Sequence, residues 1–375
     1  MSGDTGFVSP RYRDRALSDL LPSVAAAMGH GDDDNLLALP PSSRYVVVMV
    51  DGLGWHQLRR HADLAPYLAS LLPERDPLTC GVPSTTVTSL TSLGTGLPPG
   101  GHGVVGYTSR IPGTNTLLNG LKWDADVDPY DWQPHQTVFE RLSASGVKVS
   151  AANKGAFRGS GLTVCSQRGA VYHAVDTPWE RIAVVSELAE PADSLIYAYE
   201  SSLDHIGHEA GCTADKWLEQ LETVDADLRR LRESLPTDAV MVVTGDHGMV
   251  DADDAGRIDV GDLVGLLDGV ALLGGEARLR HLYCRVGAMP DVAARWAATL
   301  GERAIVMTQT DAEAAGWFGP IRPEVRARIG DVVVAATDRN AVLSRQHFPI
   351  ETKLVGFHGS LTEAEMLVPL LVDAG

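Results

Sequence analysis

The chain has 375 residues, 44% of them hydrophobic, enough for one large domain with an insertion or for two domains, and too apolar for a disordered chain. Forty-nine acidic residues against 31 basic ones give a formal charge of −18, and no Lys/Arg-rich run interrupts that excess. This balance argues against polymeric nucleic acid or an anionic membrane surface as the main partner, and a negatively charged substrate would have to meet positive charge supplied locally, for example by bound cations.

The opening stretch "MSGDTGFVSPRYRDR" has no apolar signal region, and no apolar run approaches the roughly 18 residues of a spanning helix. No membrane insertion is expected, and the chain reads as soluble and cytoplasmic, with residues 1–43 as an N-terminal extension. "RYVVVMVDG" (44–52) is a β-branched run ending in Asp-Gly, as in a central strand buried on both faces. After it, "STTVTSLTSL" (84–93) predicts a helix behind Pro83. "TVFERLSASG" (137–146) predicts a helix stopped by glycine, and "VKVSAAN" the strand that follows. "DSLIYAYE" (193–200) is another buried strand, "ADKWLEQLETVDADLRRLRESL" a long amphipathic helix, and "DAVMVVTGDHG" the next strand.

This alternation predicts an α/β fold with a mostly parallel central sheet flanked by helices. Between 256 and 330 the pattern changes to short apolar pieces, the helix-like "PDVAARWAATLG" and the turn-rich "WFGPIRPEV". This stretch is read as a small inserted α+β subdomain, so that residues 44–255 and 331–375 form the core. The four cysteines, Cys80, Cys165, Cys212 and Cys284, are far apart and form no C-x-x-C pair, so buried free thiols are expected.

In open α/β sheets ligand groups gather at the carboxyl ends of strands. Four separated places share one pattern, an apolar strand ending in Asp or a glycine-flanked His. They are Asp51 in "VMVDGLG", Asp204 and His208 in "YESSLDHIGH", Asp246 and His247 in "VVTGDHGM", and His358 in "GFHGS". Three carboxylates and three imidazoles suit zinc or a related divalent ion, and six such groups can serve two ions with coordination positions left open. The segment "CGVPSTTVTSLTSLGTGLPPGGHGVVGY" (80–107) adds a hydroxyl-rich helix start, and a hydroxyl beside a divalent cation loses its proton readily.

These motifs, in this chain order, resemble the nucleotide pyrophosphatase/phosphodiesterase family of the alkaline phosphatase superfamily. "VPSTTV" is similar to the family's Phe-Pro-Ser-Lys-Thr-Phe segment, "LDHIGHEAG" to Pro-Asp-x-x-Gly-His-x-x-Gly, "TGDHGM" to Ser-Asp-His-Gly-Met, and "GFHGS" to Gly-x-His-Gly. The resemblance spans roughly residues 44–370 and implies an alkaline phosphatase-like core with two divalent ions, zinc by preference, although manganese or iron can use the same ligands. It assigns Asp204, His208 and His358 to one ion and Asp51, Asp246 and His247 to the other. Thr86 stands at the nucleophile, with Thr85 as the alternative because the family Lys is replaced. The implied activity is cleavage of a small-molecule phosphodiester or diphosphate through a phospho-threonine intermediate; a phosphonate hydrolase, a phosphomonoesterase and a metal-binding protein without turnover are the alternatives.

One departure bears on the substrate. The family reads His-Gly-Ile-Val-Gly-Asn after the nucleophile helix, with the Asn on a phosphoryl oxygen, whereas this chain reads "HGVVGY" and places Tyr107 there. Lys122 and Trp123 in "LKWDADVDPYDWQPHQT", with Trp132, and Lys154 and Arg158 in "NKGAFRGSGLT", are candidates to contact the substrate at the mouth. "GHGVVG" (101–106) satisfies G-x-G-x-x-G but follows prolines rather than a strand, and "CGVPS" lacks the Arg and the spacing of a sulfatase signature, so both are set aside.

Overall fold

The computed structural model describes residues 6–31, 33–72 and 76–375, so the first five residues of the N-terminal stretch lie outside the described residues. Ten strands build its two largest sheets: β1 (Arg44–Val50), β2 (Lys148–Asn153), β3 (Val171–Ala174), β4 (Ser194–Glu200), β5 (Val240–Gly245), β6 (Val270–Glu276), β7 (Leu279–Cys284), β8 (Ala304–Thr308), β9 (Val332–Ala336) and β10 (Leu370–Asp373). The central sheet runs β10-β5-β1-β4-β2-β3, parallel throughout except for β10. The second sheet, β6-β7-β9-β8, is antiparallel.

Helices α1 (Thr86–Thr95) and α3 (Asp215–Ser234) pack where the apolar pattern predicts; between them lies α2 (Ser202–Ala210), which the sequence pattern did not single out, and α4 (Met289–Leu300) covers the second sheet. The alternation of β1 explains the layers. Tyr45, Val47 and Met49 share one apolar cluster with Val87, Leu90 and Leu93 of α1, while Val46, Val48 and Val50 share another with Trp217, Leu221 and Val224 of α3. A strand buried on both faces has to be apolar at every position, as this one is. The N-terminal segment packs into the first cluster through Leu17, Leu20, Leu21 and Val24. Among the described residues no helix is long and apolar enough to cross a membrane. All four cysteines are free, Cys284 being the one that is only half-buried.

Val332–Ala336, read from the sequence as part of the returning core, pairs instead with Leu279–Leu282 and with Ala304–Thr308 of the second sheet. Five small β-branched and Ala residues suit any strand buried on both faces, and their pattern does not name the neighbours. The second sheet is tied to the core by ion pairs. Arg278 donates to Glu365 through Nε (2.9 Å) and Nη2 (2.6 Å), with both side chains fully buried. Removing one partner leaves an uncompensated buried charge, so Arg278→Ala should lower stability by about 3–5 kcal/mol, read as a shift of the urea unfolding midpoint.

His281 makes a second tie. Its Nε2–H donates to the Val105 carbonyl (2.8 Å), and its Nδ1 accepts from the Gly330 N–H (3.2 Å). Complete burial pushes this imidazole down to about 4. The unfolded chain, with its imidazole near 6.5, takes up the proton first as the pH falls. The contribution is therefore complete above about pH 6.5 and is lost progressively down to about pH 4. Between pH 7 and pH 5 this group alone should cost about 2 kcal/mol. Urea denaturation at the two pH values should show a smaller loss for His281→Gln than for the unaltered protein.

Candidate metal centre and pocket

The register of the central sheet assembles the site. Val50 faces Glu200 on one side and Gly245 on the other, so β1, β4 and β5 end at one level. The residues just beyond those ends, Asp51, the start of α2, and Asp246-His247, therefore meet at one edge. Asp51 and α2 are also linked directly, since Asp204 donates its N–H to the Asp51 carbonyl (3.1 Å). On α2 the i, i+4 spacing places His208 Nε2 3.4 Å from Asp204 Oδ1.

The loop carrying His358 is laced to the start of α1. Ser84 Oγ donates to the Ser360 carbonyl (2.6 Å) and accepts from the Gly359 N–H (3.1 Å). His358 thereby reaches the same point, with Nε2 3.2 Å from His208 Nε2 and 3.8 Å from Asp204 Oδ1. Its ring stacks on His247 at a centroid distance of 3.6 Å. Thr86, the first residue of α1, places Oγ1 3.3 Å from His247 Nε2.

The tautomers decide what these groups can do. Each of the three imidazoles has Nδ1 against a backbone carbonyl: His208 on Gly356 (2.8 Å), His247 on Gly248 (3.1 Å) and His358 on Ser84 (2.9 Å). A carbonyl only accepts, so Nδ1 carries a proton, and in the neutral ring each Nε2 presents a lone pair. Those lone pairs face carboxylate oxygens that lack donors. Asp51 Oδ1, Asp204 Oδ1 and Asp246 Oδ2 are buried without a hydrogen-bond partner. His247 Nε2 lies 3.4 Å from Asp51 Oδ1 and 3.5 Å from Asp246 Oδ2. Lone pairs facing lone pairs in a buried place are costly unless a cation lies between them.

The ligand atoms form two groups, Asp204/His208/His358 and Asp51/Asp204/His247, each within a mutual distance of 4.8 Å. Asp204 thus belongs to both. Asp246 adds its free oxygen beside the second group, while its Oδ1 accepts from Gly52 (3.0 Å) and His247 (3.1 Å) backbone N–H groups. The donor set of neutral imidazoles and carboxylates fits divalent ions of the zinc type. Burial, followed by the carboxylates of Asp204 and Asp246, raises Asp51 well above the usual carboxylate range. Burial, followed by His247 and His208, holds His358 well below the usual imidazole range, which keeps its lone pair available. The Tyr199 hydroxyl donates to Asp51 Oδ2 and orients that carboxylate.

A pocket of about 750 Å³ opens above this centre. It is lined by Asp51, Thr86, Asp204, His208 and His358, and also by Tyr107, Lys122 and Lys154. Asp246 and His247 lie fully buried below it. Trp123 and Arg158 are not among its lining residues. Trp123 has a positive φ of 50°, donates from its ring nitrogen to Val127 (2.7 Å) and packs edge-on against Trp132. Arg158 lies over the Tyr172 ring at 5.2 Å. Trp132 is buried, with Arg328 on its face. Turn-rich sequence reports the surface but not the direction a side chain takes from it. Sequence reasoning missed Tyr199, Phe157 and Glu276 as pocket residues; only Tyr199, a polar-tipped ring near a strand end, carries a signal that could have found it.

Fold and site together define a class, α/β proteins with a candidate divalent-metal centre at the carboxyl edge of a parallel sheet. The family model for type I phosphodiesterases/nucleotide pyrophosphatases matches residues 45–361, and the chain belongs to that family, within the alkaline phosphatase superfamily. Murine ectonucleotide pyrophosphatase/phosphodiesterase 5 has a similar fold, at a TM-score of 0.71 and 18% identity over 88% of this chain and 87% of that one. An inactive variant of that protein in complex with AMP superposes with a TM-score of 0.70, also at 18% identity over 88% and 87% of the two chains. The human counterpart gives 0.67 at 16% identity with the same coverage. No curated protein sequence matches.

Proposed function

We propose that the protein is a two-zinc hydrolase of small-molecule phosphodiesters or diphosphates, acting through a phospho-threonine on Thr86. One observation carries the reading: three Nε2 atoms and three donor-less carboxylate oxygens gather at one edge of the sheet, with the Thr86 hydroxyl 3.3 Å from one of them, His247 Nε2. Asp204, His208 and His358 would hold one ion, and Asp51, Asp246 and His247 the other; Asp204 also lies within 4.8 Å of the ligand atoms of Asp51 and His247. Bound there, the ions would supply Lewis-acid charge that lowers the pKa of a neighbouring hydroxyl and steadies a departing alkoxide.

Thr86 supplies the attacking oxygen. As its Oγ bonds to phosphorus, the bond from phosphorus to the departing alcohol breaks, and water later hydrolyses the phospho-threonine. Thr86 sits at the first position of a ten-residue helix, where the dipole favours an anionic phosphoryl group. Lys122 and Lys154 at the mouth add positive charge in a chain of net charge −18. A pocket of about 750 Å³ admits a small molecule, which supports a diester of that size over a polymer.

The test is turnover of bis-p-nitrophenyl phosphate against p-nitrophenyl phosphate by zinc-loaded protein. Faster diester cleavage is expected. Faster monoester cleavage would transfer the reading to a phosphatase on the same centre, and no cleavage of either would overturn it.

A further inference from the structure

Glu276 is a pocket residue that the metal centre does not use. It ends β6 and enters the pocket from the second sheet, on a hairpin whose Ala277-Arg278 turn leads into β7. The hairpin is docked beside Tyr107, since Thr108 Oγ1 donates to the Gly275 carbonyl (2.7 Å). The residue is 7% exposed. The Thr85 hydroxyl and the Tyr107 backbone N–H lie beside its carboxyl group, yet Oε1 is buried without any donor. Arg280, the cation on the next strand, donates through Nε to the Val342 carbonyl (2.8 Å) and through Nη2 to Glu351; its Nη1 is itself buried without a partner and makes no hydrogen bond to Glu276.

The other neighbours do not satisfy it either. Glu276 Oε2 lies 3.9 Å from His358 Nδ1, but that nitrogen donates to Ser84. Gly359, next to His358, packs so closely that a Cβ there would lie 2.8 Å from Glu276 Cγ, so the His358 loop closes directly over this side chain. A carboxyl oxygen held in this way, beside the candidate nucleophile and the ligand His358, lacks one hydrogen-bond donor.

Resting on the two-metal phosphodiesterase reading, we propose that Glu276 is a specificity-determining residue that accepts a hydrogen bond from a hydroxyl or ammonium group on the substrate alcohol, close to the scissile ester. The preferred substrates are then diesters of a polyol or amino alcohol type, with a donor a few atoms from phosphorus.

Three dialkyl phosphates separate the possibilities: ethyl methyl phosphate, 2-hydroxyethyl methyl phosphate and 2-aminoethyl methyl phosphate. Each is titrated into zinc-loaded protein by calorimetry and also used as a competitor of bis-p-nitrophenyl phosphate hydrolysis. A hydrogen bond to a charged group corresponds to a preference of about ten- to hundredfold. The hydroxyethyl or the aminoethyl ester should bind at least tenfold better than the ethyl ester, and which of them does identifies the donor. That advantage should vanish in Glu276→Ala and shrink in the isosteric Glu276→Gln, each checked for two zinc ions per chain. Equal affinity for all three esters in the unaltered protein, or an advantage that survives in Glu276→Ala, would overturn the assignment and leave the phosphodiesterase reading standing. Zinc-loaded protein that binds the esters with the expected preference but hydrolyses no diester would uphold Glu276 as a recognition residue and overturn the activity.

Discussion

Thr86→Ala should abolish diester turnover while leaving the metal content at that of the unaltered protein. Its hydroxyl is the one found 3.3 Å from His247 Nε2, at the point where the candidate ligands converge. Losing a nucleophile that works as a unit with its activating groups costs about 10⁴-fold or more in kcat. Metal retention is expected because the six candidate ligand side chains are all elsewhere in the chain. Activity on bis-p-nitrophenyl phosphate together with metal per chain from elemental analysis reads both halves. An active variant would move the nucleophile, and Thr85, the preceding residue, is the first place to look.

The second large effect separates Asp204 from His208. Asp204 belongs to both ligand groups, whereas His208 belongs to one. Asp204→Ala should therefore lose both ions, and His208→Ala should lose one. Partners that merely orient a ligand change metal affinity by about ten- to hundredfold, so loss of a ligand itself should exceed that. Metal analysis after gel filtration in a weak chelator gives the stoichiometry without any assay of activity. Two ions retained by Asp204→Ala would show that the carboxylate is paired with protein alone.

The elements were legible where their patterns are strong. The β-branched run of β1, the capped helix from Val138 to Ala144 and the amphipathic α3 all stand where their periodicity predicts them. The helix 138–144 carries its signal openly, since Thr137 and Glu140 form a reciprocal capping box. Beyond Thr86, most hydroxyls of α1 serve the interior: Ser89 donates to the Asp246 carbonyl, Thr88 to the Val104 carbonyl, and Thr91 to the Val87 carbonyl within the helix. A Ser or Thr hydroxyl is satisfied as readily by a backbone carbonyl as by a ligand, and sequence does not distinguish these.

By itself the sequence determined which residues are candidate metal ligands and that most of them follow strand ends, because an Asp or His after a buried apolar run is too costly without a partner. It also determined the alternating α/β pattern, because periodicity records how many faces of an element are buried. Tertiary structure alone decided that Asp204 lies between both ligand groups, that Val332–Ala336 joins the second sheet, that Trp123 turns inward, and that Glu276 enters the pocket. These depend on strand register, hairpin docking and the approach of elements far apart in the chain, and no local period encodes which surface a buried face will meet.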